Sequence, residues 1–220
     1  DHNVEFASGA TRPNKDSGQH TKQDVTMRLG FDFPGQLRNL RWESHPRATP
    51  QHDEIEVAVQ ATGLNFRDIM YSPGCLPDAA IENGFAGPTL GLEFSGVVLS
   101  AGRETSGFSP GDRVVGFGPS CFANRVITNW TALSHIPRGL SFEAAATIHS
   151  TFFTVYYSLL HLAQLEPGET VLIHGAAGGV GIAAIQIAKW RGAIIHATAG
   201  SDEKRDFLRL LGVEHIYDSR

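Results

Sequence analysis

Val171 to Trp190 reads VLIHGAAGGVGIAAIQIAKW. Val171, Leu172 and Ile173 form a short apolar run between turn formers, with Pro167 and Gly168 before it and Gly175 after it. That is the pattern of a central parallel strand buried on both faces. Gly175, Gly178, Gly179 and Gly181 then crowd one turn, and Ile182 to Trp190 follows without Gly or Pro and with apolar residues at Ile182, Ile185 and Trp190, as a helix needs. Strand, glycine turn and helix in that order make the phosphate cradle of a dinucleotide site. The glycines let the backbone approach a pyrophosphate, which rests on the free amides and positive end of the helix. The expected ligand is a nicotinamide or flavin dinucleotide.

The usual fingerprint is G-x-G-x-x-G, and Ala176 stands where its first glycine belongs, followed by Gly178 and Gly181. Taken alone, such a turn is also what a tight connection requires. Its surroundings favour the nucleotide site, because Ala193 to Thr198 is a second apolar run and Asp202 to Leu211 a second short helix. A site specific for NAD places an acid near the end of the second strand, where it takes the ribose 2′-hydroxyl. Thr198 to Arg205 reads TAGSDEKR, so no acid closes the strand. Ser201 can hydrogen-bond and Lys204, one turn on, can reach a 2′-phosphate, while Asp202 and Glu203 suit the first turn of a helix. The pair Ser201 and Lys204 points to NADPH.

Working outward, residues 1–24 are polar, with almost no apolar periodicity, and read as a linker or disordered tail. From Val25 the chain becomes short strands and turns, with strands expected around Leu37 to Trp42, Gly96 to Ser100, Arg113 to Phe117 and Phe122 to Thr128. Ile55, Val57, Val59 and Ala61 alternate with Glu54, Glu56, Ala58 and Gln60, the period of a strand with one wet face. Ser109-Pro-Gly-Asp112 is a turn. This texture implies a small β-barrel or sandwich. Ser141 is a helix N-cap, and Ser150 to Gln164 is apolar nearly all round, so that helix is expected to be buried between the two halves of the chain. A net charge of -5 without a Lys/Arg block argues against nucleic acid. No apolar run reaches the length needed to span a bilayer, and two cysteines, Cys75 and Cys121, are too few for a disulfide framework, so the chain reads as cytoplasmic.

GLNFRD at Gly63 to Asp68, GLEFSG at Gly91 to Gly96, SPGDRV at Ser109 to Val114, TVYYSL at Thr154 to Leu159 and HGAAGGVG at His174 to Gly181, in that order, resemble the medium-chain dehydrogenase/reductase superfamily. Within it the chain is most similar to the enoyl reductase domains of polyketide synthases and related fatty acid synthases, in the zinc-free branch that includes quinone oxidoreductases. The resemblance implies a GroES-like substrate domain over 25–145 and the first part of a Rossmann domain over 146–220. It also implies NADPH as cofactor and reduction of an enoyl thioester carried on the phosphopantetheine of an acyl carrier protein, among neighbouring synthase domains, with a homodimer allowed. The alternatives are a stand-alone NADPH quinone or enal oxidoreductase and a non-catalytic cofactor-binding module. Zinc-dependent relatives have a His-Glu pair after the glycine of the second motif; Leu92 takes the His position here, so no zinc is expected.

The resemblance assigns cofactor contacts to Asn65, to Thr154, to the loop residues Gly175, Ala176, Gly178, Gly179, Val180 and Gly181, to Ser201 and Lys204, and to Ser219 and Arg220. Hydride transfer to Cβ of an unsaturated thioester leaves an enolate that must be stabilised at oxygen and protonated at Cα. No proton donor is named. Leu76 stands where some relatives carry a tyrosine before the proline, Asp68 reads as a structural partner of Arg67 or nearby backbone, and His149 as a solvated or capping residue. The donors suggested for synthase reductases fall beyond Arg220. A six-stranded nucleotide sheet at about 30 residues per unit needs roughly 80 to 100 residues more than the two strand-helix units and third strand found here.

Overall fold

The computed structural model describes residues 25–220 other than Asn83 and Phe85, and the expected linker over 1–24 lies outside the described residues. β1 (Val25–Gly30) and β2 (Arg41–Pro46) pair antiparallel, with Val25 opposite Pro46 and Gly30 opposite Arg41. The strand expected from Leu37 begins late. Leu37–Asn39 is a single 3-10 turn in which Leu40 N donates to Leu37 O at 3.1 Å. That local bond replaces ladder pairing until Arg41.

β3 (Glu54–Thr62), β4 (Glu93–Ala101), β5 (Arg113–Phe117), β6 (Arg125–Asn129) and β7 (Leu133–His135) form an antiparallel sheet in the order β6-β3-β4-β5-β7. Two short helices, α1 (Phe66–Tyr71) and α2 (Asp78–Glu82), lie between β3 and β4. The β4–β5 connection closes through the expected turn, with Asp112 N donating to Ser109 O at 3.0 Å and Gly111 at φ 96. β6 starts three residues later than expected, because the chain before it joins β1 instead: Leu29 N donates to Phe122 O (2.8 Å) and Asn124 N to Met27 O (3.1 Å). The core is Ile55, Val57, Phe94, Val98, Val114 and Val126. The wet face expected of β3 is wrong at Glu56, which is 1% exposed. A register shift between Glu56 and Val57 breaks the alternation. Glu56 lies beneath Arg47, which donates to it through Nε (2.8 Å) and Nη2 (2.6 Å).

α3 (Phe142–Ala145) is capped by Ser141, whose Oγ accepts from Ala144 N at 3.1 Å, and it packs on β3 and β4. α4 (His149–Val155) packs on the helix that follows the glycine turn and continues into a π-helical turn over Tyr156–Leu162, where Ala163 N donates to Ser158 O at 3.0 Å. This segment is not the buried helix expected from its composition. Val155 is buried, whereas Phe153, Tyr156, Tyr157 and Leu162 are exposed. Among the described residues α4 packs on α5 and on β5, and the side that meets them is the side that is buried.

β8 (Thr170–Ile173), β9 (Ile194–Ala199) and β10 (His215–Asp218) form a parallel sheet in the order β10-β9-β8, linked by α5 (Gly179–Arg191) and α6 (Asp202–Leu210). Among the described strands β8 pairs with β9, and its Leu172 is 53% exposed. α5 buries Gly181, Ala184, Ile185 and Ala188 against β8 and β9. Trp190, expected on that face, is 71% exposed; five residues after Ile185 it points about 140° away at 100° per residue. Gly192 ends α5 in the left-handed conformation at φ 75. No helix among the described residues is long and apolar enough to cross a membrane.

Candidate functional site

The glycine turn lies at the carboxyl edge of the parallel sheet. Ala176 N donates to Thr198 O (3.0 Å) and Gly175 N to Thr198 Oγ1 (3.3 Å), so the turn after β8 is tied to β9. Gly175 takes φ 60, the left-handed region that favours glycine. The conformational demand therefore sits one residue before the fingerprint's first glycine. Ala176 follows with its methyl fully buried, which is why the pattern tolerates it. Gly178 is the N-cap of α5 at φ -87, ψ 170. A Cβ on Gly181 would stand 2.5 Å from Ala176 Cα and O, so helix and turn approach at a distance only glycine permits. The first amides of α5, at Gly179, Val180 and Gly181, have no intrahelical acceptor and carry the positive end of the helix. They face a concave cradle of about 290 Å3 bounded by Ile173, Gly175, Gly178 and Ala184. These residues fit a diphosphate.

At the neighbouring ends of β9 and β10, Ser201 caps α6, its Oγ accepting from Lys204 N at 3.4 Å. Lys204 is exposed and its ammonium has no ion-pair partner among the described residues. A Cβ on Gly200 would come within 3.3 Å of Ser219 Oγ and 3.5 Å of Arg220 Nε, so Gly200, Ser219 and Arg220 share one corner. Sequence reasoning passed over Arg205. Its guanidinium donates to Ala199 O (2.9 Å) and Asp202 Oδ1 (2.7 Å) and pairs with Asp218 Oδ1 (3.4 Å), fastening β9, α6 and β10 together.

Asn65 and Thr154 occupy a second region, where α1 and α4 meet β4. Asn65 Nδ2 donates to Glu93 Oε1 (2.9 Å), and Ser150 N at the start of α4 donates to Glu93 Oε2 (2.8 Å). Glu93 is 3% exposed, and a Cβ on Gly63 would lie 2.4 Å from its Oε1. One buried carboxylate thus joins three elements. Sequence reasoning gave this residue of GLEFSG no task, although a lone acid entering an apolar strand was the available signal. Asp68 accepts from Asn65 N (3.2 Å) and Gly91 N (2.9 Å), while Arg67 donates to Thr89 O (2.8 Å) and to Gly87 O. Asp68 therefore serves nearby backbone and not Arg67. Thr154 Oγ1 donates to Ser150 O at 2.7 Å, which leaves its lone pairs available. It walls an apolar cavity of about 420 Å3 with Leu92, Phe117, Ser150 and Phe153. α4 connects this region to the glycine turn, since Thr151 Cγ2 lies 3.6 Å from where a Cβ on Gly179 would be.

His149 is half-buried and makes no side-chain cap bond at the start of α4. Its Nδ1 is buried without a hydrogen-bond partner and its ring meets Phe117 edge-on at 4.6 Å. Burial pulls the imidazole below its usual value of 6.5. The unfolded chain then takes up the proton first, so the stability held above pH 6.5 is lost as pH falls below that value. The thermal midpoint of the wild type is expected to drop more steeply between neutral and mildly acidic pH than that of His149→Phe. Superimposable pH profiles in differential scanning fluorimetry would contradict this.

The alcohol dehydrogenase GroES-like domain family matches residues 51–132, and the zinc-binding dehydrogenase family matches residues 179–220. A phenolphthiocerol/phthiocerol polyketide synthase of Mycobacterium tuberculosis is 43% identical over 89% of this chain and 9% of its own length. The crystal structure of CurK enoyl reductase superposes with a TM-score of 0.83 at 40% identity, over 89% of this chain and 60% of that one. The chain belongs to the medium-chain dehydrogenase/reductase superfamily, among the enoyl reductase domains of polyketide synthases. A quinone oxidoreductase of Pseudomonas syringae lies further off, at 34% identity and a TM-score of 0.75. The chain accordingly spans about a tenth of the curated synthase and three fifths of the solved CurK domain. Its architecture is a GroES-like domain followed by the opening strands of a Rossmann domain. Among its described residues no group of three His, Cys, Asp or Glu side chains is placed to hold a metal ion. Cys75 is exposed, and burial pushes the Cys121 thiol up.

Proposed function

We propose that this chain carries the substrate-side and phosphate-binding parts of an NADPH-dependent enoyl reductase that acts on carrier-bound enoyl thioesters during polyketide or fatty acid assembly. The observation that carries the reading is α4, which is anchored to the Asn65–Glu93 pair at its start and lies against Gly179 at its middle. It sets the glycine cradle beside an apolar cavity. We place the substrate domain at 25–145 and the nucleotide domain at 146–220. The dinucleotide, when bound, supplies the hydride.

In this reading the amides of Gly179, Val180 and Gly181 hold the diphosphate, and Gly175, Ala176 and Gly178 shape its cradle. Ser201, Lys204, Ser219 and Arg220 receive the 2′-phosphate and its ribose. Asn65, oriented by Glu93, presents its amide at the seam with Thr154, while Leu92, Phe117 and Phe153 exclude water from the acyl chain. The reading includes zinc-independent chemistry, a cytoplasmic setting, a carrier protein and neighbouring synthase domains as partners, and a homodimer.

The test is NADPH oxidation by the intact reductase domain on crotonyl-pantetheine. Turnover supports the assignment. Rapid reduction of quinones or enals without thioester turnover would favour a quinone-type reductase, a reading suggested by the Pseudomonas syringae neighbour. Binding without reduction of any of these would indicate a non-catalytic module. Lys204→Ala is expected to raise KM for NADPH about tenfold while leaving KM for NADH unchanged, the loss of one charge-assisted contact. Equal effects on the two cofactors would remove Lys204 from the phosphate site.

A further inference from the structure

Arg28, on β1, is the anomaly in the charge distribution of the barrel. Its Nε is buried without a hydrogen-bond partner, and no carboxylate lies within ion-pair distance of it among the described residues. Native proteins leave few buried donors unmatched, although the residue as a whole is half-buried. The acids around it are otherwise engaged. Glu43 pairs with Arg41 (3.0 Å) and His45 (3.7 Å). Glu54 accepts from Gln51 N (2.8 Å), and Glu56 is held by Arg47 (2.6 Å) and Arg125 (3.4 Å).

Arg28 and Ser120 form the shared wall of two adjoining hollows of about 210 and 250 Å3. Ser120 is held at φ 56, a conformation that costs a side-chain-bearing residue energy, with its N donating to Thr89 Oγ1 at 3.0 Å. The first hollow shares Leu29 and Leu90 with an apolar groove of about 360 Å3 that runs to Leu64, the residue before Asn65. The hollow beside Arg28 and the apolar groove therefore adjoin at Leu29 and Leu90.

We propose that Arg28 and Ser120 form a phosphoryl-binding subsite for the phosphate ester of a pantetheine thioester, whose arm lies along the Leu29–Leu64 groove. This rests on the enoyl reductase reading. A guanidinium fork matches phosphate oxygens. Glu43, opposite Arg28 in the β1–β2 ladder and on the wall of the first hollow, is drawn to Arg41 and His45, and Glu54 on the wall of the second accepts from Gln51 N.

The test uses the intact reductase domain with crotonyl-pantetheine and crotonyl-4′-phosphopantetheine as paired substrates. Wild-type KM is expected to be about tenfold lower for the phosphorylated substrate, and Arg28→Gln to erase that difference with kcat on both unchanged. Inorganic phosphate should compete only against the phosphorylated substrate, and crotonyl-coenzyme A should gain no more than the single phosphate gives. Equal wild-type KM values, or a difference that survives in Arg28→Gln, overturns the subsite. So does a fall in turnover of crotonyl-pantetheine in the variant, which would assign Arg28 a structural role. If neither thioester turns over, the reductase reading fails separately. Calorimetric binding of 4′-phosphopantetheine to wild type and Arg28→Gln then decides the subsite, with unchanged affinity overturning it.

Discussion

Gly181→Ala is expected to destabilise the domain by about 1–3 kcal/mol and to abolish measurable cofactor binding. An exposed helix would gain up to about 1 kcal/mol from the same change, because alanine has the higher helix propensity. Here the added methyl would stand 2.5 Å from Ala176 Cα and O. Those are backbone atoms that no rotamer change can move, so the clash outweighs the propensity gain and the turn shifts off α5. Gly178→Ala separates the two roles of the loop. Gly178 has negative φ, and its added methyl would meet only Gly175 O, at 3.4 Å. The thermal midpoint should barely move, while NADPH affinity, read by cofactor fluorescence, should weaken at least about tenfold, because the methyl occupies the cradle. A Gly181→Ala protein with wild-type midpoint and affinity would disprove the close approach.

Glu93→Gln is expected to lower stability by about 1–3 kcal/mol and to depress kcat with little change in KM for NADPH. The carboxylate accepts two hydrogen bonds on its two oxygens, from Asn65 Nδ2 and Ser150 N. Glutamine offers one oxygen and one NH2. Either orientation leaves a donor facing a donor in a site that is 3% exposed. The lost bond frees Asn65 or loosens the start of α4, which disturbs the seam more than the distant ribose corner. Denaturant titration and steady-state kinetics on the intact domain measure both effects. Unchanged stability would mean that Glu93 does not carry the joint between β4, α1 and α4.

Much of the site was legible from residue order because its demands are local. The strand, glycine turn and helix from Val171 to Arg191 follow from the backbone freedom of Gly175 and from the small residues that let α5 approach the turn. Ser141 was readable as a cap for the same reason, since a cap bonds within three residues, whereas the capping role of Ser201 emerged only in the structure. The misreadings were failures of periodicity. Glu56 falls on the expected wet face of β3 but turns inward across a bulge, and Trp190 belongs to an apolar count but not to the buried stripe of α5.

By itself the sequence determined the two kinds of texture, short strands followed by strand-helix units, and the place of the glycine turn between β8 and α5. These depend on φ/ψ preference and on neighbours a few residues away. Only the tertiary structure decided that His149 hides its Nδ1 against Phe117 and that Glu93 ties Asn65 to Ser150. Burial and buried hydrogen bonds join residues 28 and 57 positions apart in the chain. Such pairings depend on which surfaces are brought together, and no local pattern encodes that.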